Sequence, residues 1–315
     1  MNIPRVTNMV ISTTLSENIN ISAFVNLVAL IPLNKEITME KLKNKIPYFG
    51  IDGAIISIRH DNSCRGLRGK NKIGAFADMD LQCMNKNIHI KISQNKFNAM
   101  GILSVEMAER AFDYTLKHIE MTERNWERIR KIPNEIKIST IRWVWENQQD
   151  LKNPPEDIDP FMVTMISLQL HETPTKEIYF DRMSKVLMNL TPIYERRPVH
   201  SNIIIHNSVL VYNIGGPVSL IETAQKLHAH KCYGVKFHNW ESKRVQVVLP
   251  IKPVDDIDNI SFDENTPRSD DSTPKIEAHK FIIRPSGAVT QMSPCSYEES
   301  YAACQKLCDD LKLTQ

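Results

Sequence analysis

With 315 residues, 42% hydrophobic and 24% charged, the chain has the composition of a soluble globular protein and enough length for a sizeable core. No stretch reaches the roughly 18 apolar residues of a membrane span, and a net charge of +2 is too small to mark a nucleic-acid binder by itself. Residues 1–20 lack the basic, apolar and small-residue pattern of a secretory signal, and the six cysteines form no CxxC pair, so an intracellular, reducing setting with free thiols is expected.

The first apolar, β-branched run, Phe24 to Leu33, predicts a strand, and Ile37, Leu42 and Ile46 follow it at helical spacing. Ala54–Arg59 predicts a second strand. After it, Arg59, Arg65, Arg68, Lys70 and Lys72 against Asp61 make a strongly basic segment. Ile88–Ile92 and Phe97–Gly101 predict a hairpin, with Asn95-Lys96 where a tight turn tolerates positive φ. Ser104 then begins a helix with Val105, Ala108, Phe112, Leu116 and Ile119 on one face.

Residues 123–195 read as a helical block. Trp126, Ile129, Trp143 and Trp145 mark its first stretch, Asp159-Pro160 opens a second, and Thr173-Pro174 opens a third carrying Met183, Val186, Leu187 and Leu190. The tryptophans at this spacing are expected in a core.

Strands return with Val209, Val211, Tyr212 and Ile214, and Gly215-Gly216-Pro217 leads into a helix with Leu220, Ala224 and Leu227. Val235–His238, Lys243–Leu249, Lys280–Ile283 and Ala288–Met292 predict four further strands. Between the second and third of these lies an acidic, proline-containing stretch, 253–275, that reads as a solvated loop. Ser296 with Glu299 forms a capping-box pattern, and Tyr297, Tyr301, Cys304, Cys308 and Leu311 repeat on one face, so Cys304 and Cys308 are expected in a core.

The chain therefore states one pattern twice. Asn26 and Asn207 are 181 residues apart, and the same offset relates Ile51–Ile56 to Cys232–Phe237; Ile92–Phe97 and Arg284–Val289 are offset by 192. The expected fold class is α+β: a pseudo-twofold saddle of two β-α-β-β-β-α repeats, with a curved antiparallel sheet, helices on its convex face and a helical insertion. The expected division is 1–122 for the first repeat with an N-terminal extension, 123–195 for the insertion, and 196–315 for the second repeat.

These residues resemble the TATA-box-binding protein family. Val25-Asn26-Leu27-Val28 is similar to that family's opening strand, Asn207-Ser208-Val209 to its second-repeat counterpart, and Ser286-Gly287 to its Ser-Gly hairpin. Gly53 and Gly234 match the small residue after an intercalating phenylalanine. The resemblance covers roughly 20–120 and 200–315. Low similarity and a chain rich in Asn, Ile and Lys make it look most like the divergent relatives encoded by large DNA viruses.

The resemblance implies a concave sheet laid on the minor groove of A·T-rich double-stranded DNA. Amides from both repeats would donate to the acceptors of the groove floor. It assigns Asn26 and Asn207 to the amide positions, Val28 and Val209 to the flanking apolar ones, and Asn98 and Thr290 to the strands pressing on the groove. Ile51 and Ile92, with Cys232 and Arg284, occupy the positions of the family's phenylalanine wedges. Arg59, Arg65, Arg68, Lys70 and Lys72 fall near the family's stirrup as phosphate contacts, joined by Lys96. Implied partners are factor-B-like or RNA polymerase subunits, and the implied setting is the host nucleus or a cytoplasmic viral factory.

The rival expectation is a transcription scaffold that binds proteins and has lost DNA reading. No GxxxxGK[ST], GxGxxG or HExxH occurs. His228, His230 and Cys232 alternate as potential ligands but lack a second cluster. Neither catalysis nor a metal or other cofactor is expected.

Overall fold

The computed structural model describes residues 3–30, 48–61, 63–66, 75–167, 170, 175–238, 243–252 and 277–311. The fold is α+β, and its strands join antiparallel neighbours. Two compact units divide it: unit 1 is Met1–Ile11, Gly101–Ser104 and Ile204–Gln315, and unit 2 is Ser12–Met100 and Val105–Ile203.

Unit 2 begins within β1 (Arg5–Leu15) and continues through α1 (Ile21–Leu27), β2 (Ile55–His60), β3 (Ser63–Gly66), β4 (Ala77–Cys83), β5 (Lys86–Ser93) and β6 (Lys96–Ile102). Among the described residues five helices belong to it, the others being α2 (Val105–Arg130), α3 (Asn134–Glu146), α4 (Pro160–Ser167) and α5 (Lys176–Met188). Its strand order is β3-β2-β4-β5-β6-β1. Paired residues share a face, so Ile58, Met79 and Ile90 line one side, all fully buried. Helix α2 covers that side: Phe112 meets Phe97 with ring centroids 6.0 Å apart, and the Cys83 thiol points at the Met107 carbonyl. A helical core adjoins α2 in the same unit, where Trp126 and Ile129 pack with Ile141, Val144, Met162 and Tyr179.

Five points of the sequence reading are corrected by the structure. The run at Val25–Val28 is not a strand: Asn20 caps a helix by accepting from the Ala23 N–H at 3.0 Å, and Ala23, Phe24, Val25 and Leu27 are buried along it. Burial on a helical turn overrides the strand preference of the valines. Residues 1–20 are not a plain extension, because they contain β1, and β4 was not foreseen at all. The two-residue turn of the β5–β6 hairpin is Gln94-Asn95, Lys96 being the first residue of β6 and paired with Ser93. Helix α2 runs unbroken past residue 122. The predicted helix at Ile37–Ile46 and the acidic stretch 253–275 lie outside the described residues.

His118, on α2, sits on the Gly53 carbonyl, to which its Nε2 donates at 2.6 Å. Burial pushes its pKa below the usual 6.5, the hydrogen bond offsetting only part of this. The unfolded chain therefore takes up the proton more readily than the folded one. Unit 2 is expected to keep this stability above about pH 6.5 and lose it progressively as the pH falls below that value. His118→Gln should flatten that slope in urea midpoints measured across the range; an unchanged slope would count against the assignment.

Unit 1 contains the N-terminal part of β1 and most of β7 (His200–Asn213), then α6 (Leu220–Ala229), β8 (Gly234–His238), β9 (Arg244–Pro250), β10 (Ala278–Ile283), β11 (Ala288–Ser293) and α7 (Tyr297–Asp310). Its strand order is β1-β7-β11-β10-β9-β8. Leu210, Tyr212, Val247, Phe281 and Val289 form the core side, which α6 and α7 cover with Leu227, Cys304 and Leu307. Cys308 packs against the same core, as the spacing of α7 predicts. The capping box is present: Ser296 Oγ accepts from the Glu299 N–H at 3.3 Å, and Glu299 Oε2 accepts from the Ser296 N–H at 3.0 Å. In the β10–β11 turn Gly287 has φ +77°, and a Cβ there would stand 1.9 Å from the Gly216 carbonyl oxygen, so only glycine fits.

Candidate nucleic-acid interface

The strand register of unit 1 divides its residues cleanly between two faces. On the face away from the helices, called here the far face, one cross-strand row reads Gly234, Val248, Lys280, Met292, Val209, and the next reads Lys236, Gln246, Ile282, Thr290, Val211. His238 and Arg244 form the start of a third. Arg284 follows β10, is exposed, and donates through Nη1 to Thr290 Oγ1 at 3.1 Å. Strands β7 to β11 contain no aspartate or glutamate.

Beside β7 lies β1, where Thr7 Oγ1 donates to the Val209 carbonyl at 3.2 Å. The two strands carry the same three-residue pattern. In Asn8-Met9-Val10 and in Asn207-Ser208-Val209 the middle residue is buried and the outer two are half-buried on the far face. Their ends are held alike within each unit: Leu15 N–H donates to Asn95 O in unit 2, and Ile214 N–H donates to Gly287 O in unit 1. The separation of Leu15 from Ile214 equals that of Asn8 from Asn207. Asn8 Oδ1 accepts from the Gly101 N–H at 3.0 Å, which fixes the carboxamide and leaves its Nδ2 as the donor toward the far face.

Asn8 was missed by sequence reasoning, and the signal was available. Met9, Ile11, Thr13 and Leu15 alternate as the buried positions of a β-branched run. Asn26 has the same Asn-x-Val pattern, but its segment is a helix capped by Asn20.

No family model matches the chain. No curated protein matches it either. Among solved structures it is similar to Methanococcus jannaschii TBP, with 14% sequence identity, 98% of each chain covered and a TM-score of 0.40.

The remaining sequence candidates are scattered. Asn207, Val209 and Thr290 lie on the far face of unit 1. Asn26 is half-buried on α1 and lines a groove of about 720 Å³ with Asp181 and Lys185 of α5 and with Asn189, which caps the C-terminus of α5. Val28 and Ile92 are fully buried and cannot lie against a groove floor or wedge between bases. Ile51 is 52% exposed in the loop before β2. Cys232 packs against the unit 1 core, and His228 lies on α6 while Cys232 lies beyond it, so the alternating ligand triad does not form on a strand. Among the described residues no group of three His, Cys, Asp or Glu is placed to hold a metal ion. Arg68, Lys70 and Lys72 lie outside the described residues.

Arg59 and Arg65 are corrected as phosphate contacts. Arg65 is buried and its Nη1 donates to the Val25 carbonyl at 2.6 Å. Arg59 belongs to a buried network on the far face of unit 2. Its Nη2 donates to Asp78 Oδ2 at 3.0 Å, His89 faces Asp78 Oδ1 at 3.0 Å and Asp80 Oδ1 at 3.2 Å, and Ser57 Oγ donates to Asp80 Oδ2 at 2.5 Å. Each ring nitrogen of His89 thus faces a carboxylate oxygen. Two carboxylates thus meet a guanidinium and an imidazole in a cluster whose Ser57, Arg59, Asp78 and Asp80 are buried. Lys96 and Asn98 lie on this same face, half-buried at the β6 edge of the cluster.

Proposed function

We propose that the chain is a TATA-box-binding-like protein of transcription initiation that acts by binding duplex DNA and recruiting partners, without chemistry of its own. The observation that carries this reading is the pair Asn8-Met9-Val10 and Asn207-Ser208-Val209 on adjacent strands of unit 1. Each offers an amide and a valine on the far face, and Thr290 adds a hydroxyl beside them. Minor-groove edges of A·T pairs present acceptors alone, so a fixed amide donor with apolar neighbours suits them.

The element order supports a twofold repeat: β1-α1-β2-β4-β5-β6-α2 matches β7-α6-β8-β9-β10-β11-α7 once β3 is set aside. Factor-B-like or polymerase subunits as partners, kinship with relatives from large DNA viruses, and work in a nucleus or viral factory belong to the same proposal. They rest on the sequence resemblance. The protein-scaffold alternative is favoured by the wedge positions, since Ile92 is fully buried and Cys232 packs on the core.

Fluorescence anisotropy with A·T-rich and G·C-rich duplexes across a salt series tests the choice. Tighter binding to the A·T duplex is expected, and Asn8→Ala with Asn207→Ala should erase that preference at a cost of about 10- to 100-fold in affinity. Equal, steeply salt-dependent binding to both duplexes would remove groove reading. Absence of binding at low salt would leave the scaffold.

A further inference from the structure

We infer that the two amides of the far face read the groove unequally: Asn8 fits A·T pairs only, and Asn207 tolerates either kind of pair. This rests on the DNA-binding reading above and assigns its sequence selectivity to one residue. The two side chains occupy matched places on β1 and β7, both half-buried, but their hydrogen bonding differs. The Gly101 N–H holds Asn8 Oδ1 at 3.0 Å, so that carboxamide can offer outward only its Nδ2. Among the described residues the Asn207 carboxamide takes part in no hydrogen bond. It is free to turn about its last side-chain bond and to offer either its NH2 or its carbonyl oxygen.

The difference traces to the residue that stands beside each amide. Gly101 has φ +86°, a conformation that residues with a Cβ rarely adopt, and with that turn its N–H reaches the Asn8 side chain. The offset of 192 that relates the third pair of segments puts Ser293 in the place of Gly101. Ser293 stays in the strand, in register with Ser208, and its hydroxyl is turned to His279 Nδ1 at 2.8 Å. In the minor groove A·T pairs show only acceptors in either direction, whereas guanine adds its N2 amino donor. The locked Nδ2 of Asn8 meets that amino group donor to donor, leaving both unpaired in a desolvated contact. Asn207 can turn its Oδ1 toward the same group and accept from it.

The test measures affinity by anisotropy for three duplexes: an A·T core, the same core with G·C pairs in one half, and the core with G·C pairs in both halves. The chain can lie on the duplex either way round. One substituted half should therefore cost less than about threefold, with Asn207 placed on it, and two should cost about tenfold or more. Asn207→Ala should keep that tenfold discrimination, while Asn8→Ala should bring all three duplexes within about threefold of one another. Asn8→Asp keeps an oxygen for the Gly101 N–H and turns an acceptor outward, so it should reverse the order of the three duplexes. Misfolding lowers affinity for all of them and cannot produce that reversal. Equal loss of discrimination in Asn8→Ala and Asn207→Ala, or a tenfold cost for one substituted half, would overturn the unequal reading and leave A·T-selective DNA binding standing. An unaltered chain that binds no duplex, or all three alike, would overturn the DNA reading and this inference with it.

Discussion

Asp78→Ala is expected to destabilise unit 2 by about 3–5 kcal/mol, the cost of removing one partner from a buried ionic network. The carboxylate of Asp78 takes a hydrogen bond from Arg59 on one oxygen and from His89 on the other. Without it, a guanidinium with side-chain exposure near 10% keeps its charge and loses its counter-ion, and Arg59 Nε is already without a hydrogen-bond partner. Arginine has no route to neutrality by losing a proton, so the penalty stays. Replacing Arg59, Asp78, Asp80 and His89 together by apolar residues of similar volume should recover most of the loss, because the desolvation cost of the buried polar and charged groups disappears with them. Urea unfolding followed by circular dichroism measures both variants. A loss below about 1 kcal/mol for Asp78→Ala would show that solvent reaches the cluster and screens it.

Trp126→Ala is expected to cost a similar 3–5 kcal/mol through a different route. The indole is fully buried among the residues of the helical core and its Nε1 donates to the Leu27 carbonyl at 3.1 Å, tying α1 to α2. Truncation opens a cavity and leaves the carbonyl at the end of α1 short of a donor. For a unit of this size the change corresponds to a fall in Tm of about 6–20 °C. Trp126→Phe should retain most of the packing and lose about 1–2 kcal/mol with the hydrogen bond. If the two variants melt together, the hydrogen bond and not the volume carries the effect.

Local chemistry made part of this fold legible. The capping box at Ser296 and the stripe ending in Cys308 announced α7, and clean alternation announced β9, β10 and β11, because one face of each is apolar. Strand β4 was not legible for a physical reason. Its alternate positions are Asp78, Asp80 and Gln82, residue types that strands disfavour unless tertiary partners satisfy them, and those partners come from β2 and β5. Helix α1 misled in the other direction, since Val25-Asn26-Leu27-Val28 has strand composition and only the cap at Asn20 and its burial decide the matter.

The candidate site was half legible. Asn207, Val209 and Thr290 were read on strands and lie on one face of unit 1. Their companion Asn8 was overlooked because two segments carry Asn followed at the second position by valine, and only strand pairing tells them apart. The basic segment failed as a site for a related reason: composition gives the charge of Arg59 and Arg65 but not whether a carboxylate or carbonyl inside the protein already holds it.

Helix α2 has a mechanical meaning. Its 26 residues contain neither glycine nor proline and extend about 39 Å, with Phe112 anchored in the sheet core of unit 2 and Trp126 and Ile129 anchored in the helical core. One unbroken rod is therefore the shared wall of both cores. A tug or a binding event at the helical end reaches the sheet through continuous backbone hydrogen bonds, with no joint along α2 at which the strain can relax.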